Sequence, residues 1–469
     1  MFGNTTDAIE YSIPIFDQWG KDWMANTWHL TRIRLVNGQE ITFTYGHAKS
    51  TVNGQQVRSE WISSMYLSLF LKSGSSDGGS GFLSLPCEPP SLLQEGPWDS
   101  YGRYNGQLIA PVYLESIEGL NEKIVFNRST SSELRYGQSI YERVWFIWTT
   151  SMSAPRKLFP FLSDYDESSY VWGYDNYPQV LNKLQWRKLD NFQVFNKVTN
   201  TPINQVDFTY NNQATERLTL LSVQQKGSGL AIPPYRFSYN TSVALPGYLA
   251  DHTDHWGFYN GNKSYDYRMY KDPAALRAYY AYRQPDVNYL QSGILSRIVY
   301  PTGSRTDFQF ESHTYAKEVD VVRNTPLITR PDNPIAGGLR VKKITHYESG
   351  TTQTPLEKTY YYVANYNPAV NPATLPSSGV LGGQAKYYWD DYEVYAQGSN
   401  DLKYKQKIFS SHTLLPTSSN SQGSHIGYTE VVEKRADGSY TIFKYTNFDN
   451  GHLDEPLPAG SLLQPIRTI

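Results

Sequence analysis

Residues 292–313, SGILSRIVYPTGSRTDFQFESH, constrain the fold more than any other stretch. Ile294, Leu295, Ile298, Val299 and Tyr300 are β-branched or large apolar residues suited to a strand. Beyond them the pattern alternates, with Thr306, Phe308 and Phe310 on one side and Asp307, Gln309 and Glu311 on the other. That period of two predicts a strand with one wet face. Between the runs lies Pro301-Thr302-Gly303, where proline presets the first turn corner and glycine supplies a left-handed residue. A β-hairpin is predicted.

The same figure opens the chain. Over Leu30–Tyr45, LTRIRLVNGQEITFTY, Leu30 falls on Leu295, Ile33 on Ile298, Leu35 on Tyr300 and Gly38 on Gly303. Ile41, Phe43 and Tyr45 then fall on Thr306, Phe308 and Phe310 with no gap. Near the C-terminal end, RADGSYTIFKY repeats the second half, with Gly438 as the turn glycine and Thr441, Phe443 and Tyr445 alternating. Its preceding strand reads about one residue out of step. Looser copies lie at Leu114–Phe126, Val206–Leu220 and Gly338–Tyr362. A unit that cannot bury its own apolar face must stack on its neighbours, and the uneven spacing excludes a solenoid of fixed period.

Composition agrees. Among 469 residues stand 39 Tyr, 11 Trp and 19 Phe against 5 Met, a balance that suits half-exposed strands better than helices. Lys and Arg number 42 against 44 acids, with 18% of residues charged, which argues against a nucleic-acid surface or a polybasic membrane patch. A lone cysteine, Cys87, excludes an intrachain disulfide and a multi-thiolate zinc site. No apolar run approaches the ~18 residues of a membrane span, and the first residues lack the basic and apolar regions of a leader.

Along the chain, strands are expected at VYLESI and KIVFNRS, at the apolar ERVWFIWTT, then at VDFTY, RLTLLSV and PPYRFSY. Trp61–Leu71 is compatible with a strand or a short helix. Residues 73–81, 153–190 and 364–383 read as loops, and 284–363 as strands. One helix is expected at 272–283, with Asp272 as N-cap and Pro273 in the first turn. The fold class is therefore all-β: large twisted antiparallel sheets of repeated hairpins with one short helix. Two regions are expected, a β-rich 1–245 with loop insertions and a repeat-like sheet over 246–469.

Candidate chemistry is sparse. Asp251–Gly257, DHTDHWG, is the densest polar cluster, and His252, Asp254 and His255 have half of a dinuclear metal-hydrolase pattern. The upstream His-x-His is absent, so a structural turn anchored by Trp256 is the competing reading. Asp449, Asn450, Asp454 and Glu455 offer oxygens without the spacing of a calcium loop. No nucleophile elbow is present, and Gly78–Gly81 lacks the lysine and helix of a phosphate cradle. Forty-four acids allow some carboxylate pair, but nothing singles one out. Tyrosine and tryptophan rings are open to stacking on sugars, and sheet packing explains them equally.

Taken in order, RLTLLSV, PPYRFSYN, LPGYLADHTDHWGFYNG, GILSRIVYPTG with DFQFE, AGGLRVKKITHYE, KTYYYV and GYTEVVEKRADGSYTIFKYTNFDNG resemble the upstream β-rich region of large exported Rhs/YD-repeat proteins of Bacteroidetes-type bacteria. The resemblance is weakest over 46–110 and 150–190. It implies a secreted or surface-displayed protein whose sheet spirals into a hollow shell, which in many members encloses a C-terminal toxin. Tandem Gly-x-x-x-x-Tyr-Asp repeats are sparse here, and the motif that marks self-cleavage and the toxin beyond it are missing. No catalytic residue is carried over, and the chain reads as a piece or a reduced member of such a protein. The expected role is non-catalytic, with no metal and no cofactor. Expected partners are other segments of a longer chain, a protein cargo, and in the alternative reading glycans bound or processed at the cell surface.

Overall fold

A computed structural model describes residues 1–14, 24–52, 55–58, 62–63, 66–67, 69–74, 104–105, 107–133, 187–227, 230–247, 252–261, 278, 280–320, 327–350, 354–383, 388–397, 400–411 and 425–452. Its main feature is one 15-stranded antiparallel sheet. Fourteen of its strands form a single path in chain order: β1 (Arg32–Arg34), β2 (Glu40–Gly46), β3 (Tyr113–Glu118), β4 (Glu122–Thr130), β5 (Arg187–Asn196), β6 (Thr201–Asn211), β7 (Thr219–Gly227), β8 (Tyr235–Tyr239), β9 (Leu295–Val299), β10 (Arg305–Thr314), β11 (Ile335–Tyr347), β12 (Leu356–Tyr361), β13 (Glu430–Arg435) and β14 (Tyr440–Lys444). The all-β expectation holds. β1 and β14 lie at opposite ends of the order, so the path is open. The ladder crosses residue 245 through the pairing of β8 with β9.

Three hairpins share one turn. Leu35, Tyr300 and Arg435 each donate their N–H to the carbonyl four residues on (Gln39, Ser304, Ser439), at 2.8, 2.8 and 2.9 Å. Each also accepts from the turn glycine, Gly38, Gly303 or Gly438. Those glycines have φ of 80, 85 and 87°. One residue earlier, Asn37 and Asp437 accept from the N–H of Gln39 and Ser439, while Thr302 bonds the Ser304 hydroxyl at 2.9 Å. A short polar side chain thus braces the corner each time.

The third copy corrects the expected slip. Ile33 faces Ile41, Ile298 faces Thr306 and Glu433 faces Thr441, so the backbone register is common to all three. What moved is the side-chain pattern: Val432, not residue 433, is apolar and fully buried. Glu433 instead pairs with Lys358 at 3.0 Å and accepts from Tyr360 at 3.0 Å across β12.

The face expected to be wet carries cross-strand charge pairs. Arg297 grips Asp307 through two bonds of 2.6 and 2.8 Å, and Glu311 sits opposite Arg340, 2.8 Å away. Bidentate geometry makes the first more than a generic surface pair. On β4 to β6, Phe126, Phe192 and Phe208 form an aromatic ladder with centroids 5.9 and 6.2 Å apart. Tyrosine has a recurrent task here. Tyr45, Tyr239 and Tyr362 each donate to a backbone carbonyl at 2.8 Å, so a broad ring packs while its hydroxyl is satisfied.

Several local expectations change. Arg187–Asp190, inside the expected 153–190 loop, already belongs to β5. Gly379–Leu381, inside the expected 364–383 loop, is a buried strand of a second, four-stranded sheet with Ile328–Thr329, Lys317–Glu318 and Ile426–Tyr428. Its Lys317–Glu318 and Gly379–Leu381 strands run parallel, made possible by the long connection between them. Val287–Leu290, inside an expected strand region, is one helical turn capped by Asp286, whose carboxylate accepts from Asn288 N–H. Within 61–71 the described residues 62–63, 66–67 and 69–71 are strand, not helix. Ala278 and Tyr280–Tyr282 are helical, while the rest of the expected 272–283 helix, most of the 73–81 loop and ERVWFIWTT lie outside the described residues.

The common turn generates a prediction. A Cβ at Gly438 meets nothing within 4 Å, so a substitution there tests backbone strain alone. Gly438→Val should cost about 1–3 kcal/mol and Gly438→Asn much less, because asparagine tolerates the left-handed region. Urea unfolding of the two variants checks this, and equal losses would contradict it.

Candidate functional site

The described residues converge on one buried seam, where the Asp254–Phe258 turn meets β10, β11 and the small sheet. Asp254 makes the turn. Its Oδ1 accepts from the N–H groups of Trp256 and Phe258 at 2.9 and 3.0 Å, and its own N–H donates to the Phe258 carbonyl at 2.7 Å. Gly257 takes the left-handed corner with φ 92°. Arg283 then clamps the turn from outside, donating Nε and Nη2 to the Asp254 carbonyl at 3.1 and 2.6 Å. Its own carbonyl accepts from His255 N–H at 2.9 Å. Asn260 spends both amide hydrogens on the Tyr282 and Gln284 carbonyls, at 3.0 and 3.1 Å.

The receiving surface is a bulge in β11. Ser312 pairs with Leu339 and His313 with Ala336, which leaves Gly337 and Gly338 extra in the ladder. Gly338 has φ 86°, the glycine conformation such a bulge needs. The bulge aims the Gly337 carbonyl at His425, whose Nε2 donates at 2.7 Å. It also presents a bare Cα to the turn: a Cβ on Gly337 would lie 2.2 Å from Asp254 Oδ2 and 2.9 Å from the Trp256 ring. Trp256 stacks on His425 at 5.2 Å and packs with Ala336, Leu381 and Ile426.

A polar chain leads out of this core. Arg340 bonds Glu311 and donates to the Tyr428 hydroxyl at 2.9 Å. The same hydroxyl shares a hydrogen bond of 2.7 Å with His313 Nδ1. His313 in turn lies edge-on to His425, with centroids 5.6 Å apart. Burial sets the protonation. Asp254 is pushed up to about 6 by burial, against the backbone N–H groups and Arg283 that pull it down. His255 is lowered to about 3 by burial and then by Arg283. His313 is lowered to about 4 by burial, then by His425 and Arg340. Burial also lowers His425. The imidazoles are therefore neutral at pH 7.

The three residues of the metal pattern are not brought together. His252 stacks on Tyr259, Asp254 is spent on its own turn, and the His255 ring accepts from the Gln284 amide at 3.0 Å while packing 4.2 Å from Tyr280. Among the described residues no three His, Cys, Asp or Glu side chains gather as metal ligands. Trp256 does anchor the turn in a core, as the structural reading has it. Asp449 is likewise engaged, bonding Lys317 Nζ at 2.9 Å and Thr429, and Asn447 and Asn450 form a capping box about it. Asp454 and Glu455 lie outside the described residues. Sequence reasoning missed Glu311, His313, Gly337, Arg340, His425 and Tyr428. Their contacts join residues 115 and 88 positions apart, beyond any local spacing.

No family model matches the chain, and no curated protein matches its sequence. Among solved structures, "TcdB2-TccC3-TEV" is 9% identical with a TM-score of 0.21, over 70% of this chain. "TcdB2-TccC3" is 9% identical with a TM-score of 0.20, over 73% of this chain. The chain spans 17% and 18% of the length of those two. Of the described residues, no helix is long and apolar enough to cross a membrane.

Two predictions follow from the seam's packing and charge. Gly337→Ala should destabilise by about 3 kcal/mol, since the new methyl overlaps the buried Asp254 carboxylate and Trp256 ring and forces them to shift. Denaturant unfolding measures it, and a loss no larger than that of an exposed-turn glycine would contradict the packing. Acidification should also destabilise. The lowered histidines contribute their full stability above the ordinary value of 6.5 and lose it as pH falls towards about 4 and about 3. Asp254 opposes them, gaining stability between about 6 and 3.8, but one carboxyl stands against three imidazoles. Melting temperature should fall from pH 7 to pH 4, less steeply in His313→Phe; a flat or rising profile would refute it.

Proposed function

We propose that the chain is a non-catalytic structural and interaction module, one length of a β-shell of the Rhs/YD-repeat kind. The observation that carries this reading is one turn geometry used three times within a single open sheet. A protein that reuses one hairpin in series is extending a surface, and each added unit buries the face of the one before. The ordered motifs from RLTLLSV to the FDNG turn support the family link, because the stretches quoted for it supply β7 to β14 and the seam turn. Such a module scaffolds, encloses or docks a protein partner or cargo. Its place is outside the cytoplasm, as part of a longer exported chain.

The free end of the sheet supports the same reading. All five residues of β14 are exposed, Phe443 by 42% and Tyr440 by 43%. Beyond its pairing with β13 its outer edge has no strand partner among the described residues, and an aromatic-rich edge strand is a ready template for another strand. The test is to recover the native product from cytoplasm, envelope and medium, and to measure its length and amide exchange. The expected product is longer than 469 residues, lies outside the cytoplasm, and protects the outward amides of β14. A free-standing product of this length confined to the cytoplasm would refute the proposal.

A further inference from the structure

A cavity of about 340 Å³ lies away from the seam, against the turn of the β9–β10 hairpin. Tyr235, Tyr300, Gln225, Thr302, Ser304 and His346 line it, together with an isoleucine and two prolines. That volume is at the small end of ligand sites and suits one or two six-membered rings. No Asp, Glu, Lys or Arg lines it, so a phosphate, a carboxylate or an amine would enter without a counter-charge.

The walls have two kinds of chemistry. Tyr300 meets Tyr235 edge-on at 5.9 Å, which fixes the Tyr235 ring while leaving that residue 42% exposed. Around the rings stand polar groups at several heights. Gln225 is exposed, and its side-chain amide has no partner among the described residues. The Thr302 and Ser304 hydroxyls lie 2.9 Å apart, a pair that offers both donor and acceptor. Thr306 Oγ1 fixes His346 through Nδ1 at 3.0 Å, and Nε2 then faces outward from that bond.

Sheet packing alone does not require this lining. The same turn is made with Leu35 and with Arg435 at the position of Tyr300, so the hairpin needs no tyrosine there. An aromatic face ringed by hydroxyl, amide and imidazole groups complements a molecule with an apolar ring face and a rim of hydroxyls. From this geometry we propose that the cavity binds a neutral pyranose, such as a terminal hexose or N-acetylhexosamine of a glycan. The C–H face of the sugar lies on Tyr235, and its hydroxyls bond Gln225, Ser304 and His346. The site has no carboxylate pair, so it binds sugar and does not cleave it. The proposal is independent of the shell reading.

The test is saturation-transfer NMR on the full chain with methyl glucoside, methyl galactoside, methyl mannoside and N-acetylglucosamine, each up to about 10 mM, a range that detects the millimolar affinity one sugar ring affords. Glucose 6-phosphate and a proline-rich peptide serve as competitors. At least one pyranoside should show transfer, strongest at its ring C–H protons. Tyr235→Ala should weaken it about tenfold or more and Gln225→Ala about threefold or more, while Tyr235→Phe, which keeps the ring, binds as the parent does. Melting curves establish that the variants fold. No transfer from any pyranoside would overturn the proposal. So would transfer unaffected by Tyr235→Ala in a folded variant, or displacement of the sugar by the peptide or the phosphate ester at equal concentration.

Discussion

The arrangement of the C-terminal half depends on two residues without side chains. A ladder between β10 and β11 in strict register would leave Gly337 paired and its faces closed. Adding Gly337 and Gly338 to one strand bends the ladder and frees a carbonyl for His425. It also leaves a recess deep enough for the Asp254 carboxylate and the Trp256 ring. The Asp254–Phe258 turn, part of the excursion between β8 and β9, docks in that recess, and His425, just ahead of the Ile426–Tyr428 strand, meets the same bulge. Without the bulge these two segments have no common surface, although the strands on either side still pair.

Buried charge at the seam is organised to avoid an isolated ion. Arg283 grips the Asp254 carbonyl through two nitrogens, and Asp254 Oδ1 accepts from two backbone N–H groups. Glu311 and Arg340 do pair, but at the outer end of the chain, where the glutamate is still partly exposed. Moving inward, the Tyr428 hydroxyl is held between the arginine on one side and the His313 imidazole on the other. Inward of the ion pair the groups are therefore neutral, ending in His425 beneath Trp256. This gradient suits a structural joint, because desolvating a charge costs more than desolvating a hydrogen-bonded neutral group.

How much was legible in sequence follows from where each signal lives. The hairpins at 30–45 and 295–314 were readable because turn glycine, polar corner residue and alternation all sit within one short window. The third hairpin misled because Val432 and Glu433 exchange the apolar position while the backbone stays in register, and pattern was the sequence's sole evidence for register. Buried Gly379–Leu381 was hidden by the Pro- and Ser-rich residues around it, which read as loop although the strand forms with distant partners. The single turn at Val287–Leu290 had a local signal, Asp286 after a proline, that a strand reading passed over. The Asp254 turn could be suspected from its polar density, but its receptor could not, since Gly337, His425 and Tyr428 meet it only after the sheet has formed.

That division has a consequence for how the fold assembles. Hairpins encoded by local turns close short loops and need little entropy to form, whereas the seam joins segments that are far apart in sequence. The local units therefore precede the joint, and the joint selects one arrangement of units that would otherwise associate loosely. The bulge glycines and the Asp254 turn then act as a checkpoint on register. If β10 and β11 slip by one residue, the Gly337 carbonyl no longer faces His425 and the recess closes to Trp256. An open sheet made of similar hairpins is exposed to such slips, and a buried aromatic key that fits one register alone is a physical defence against them.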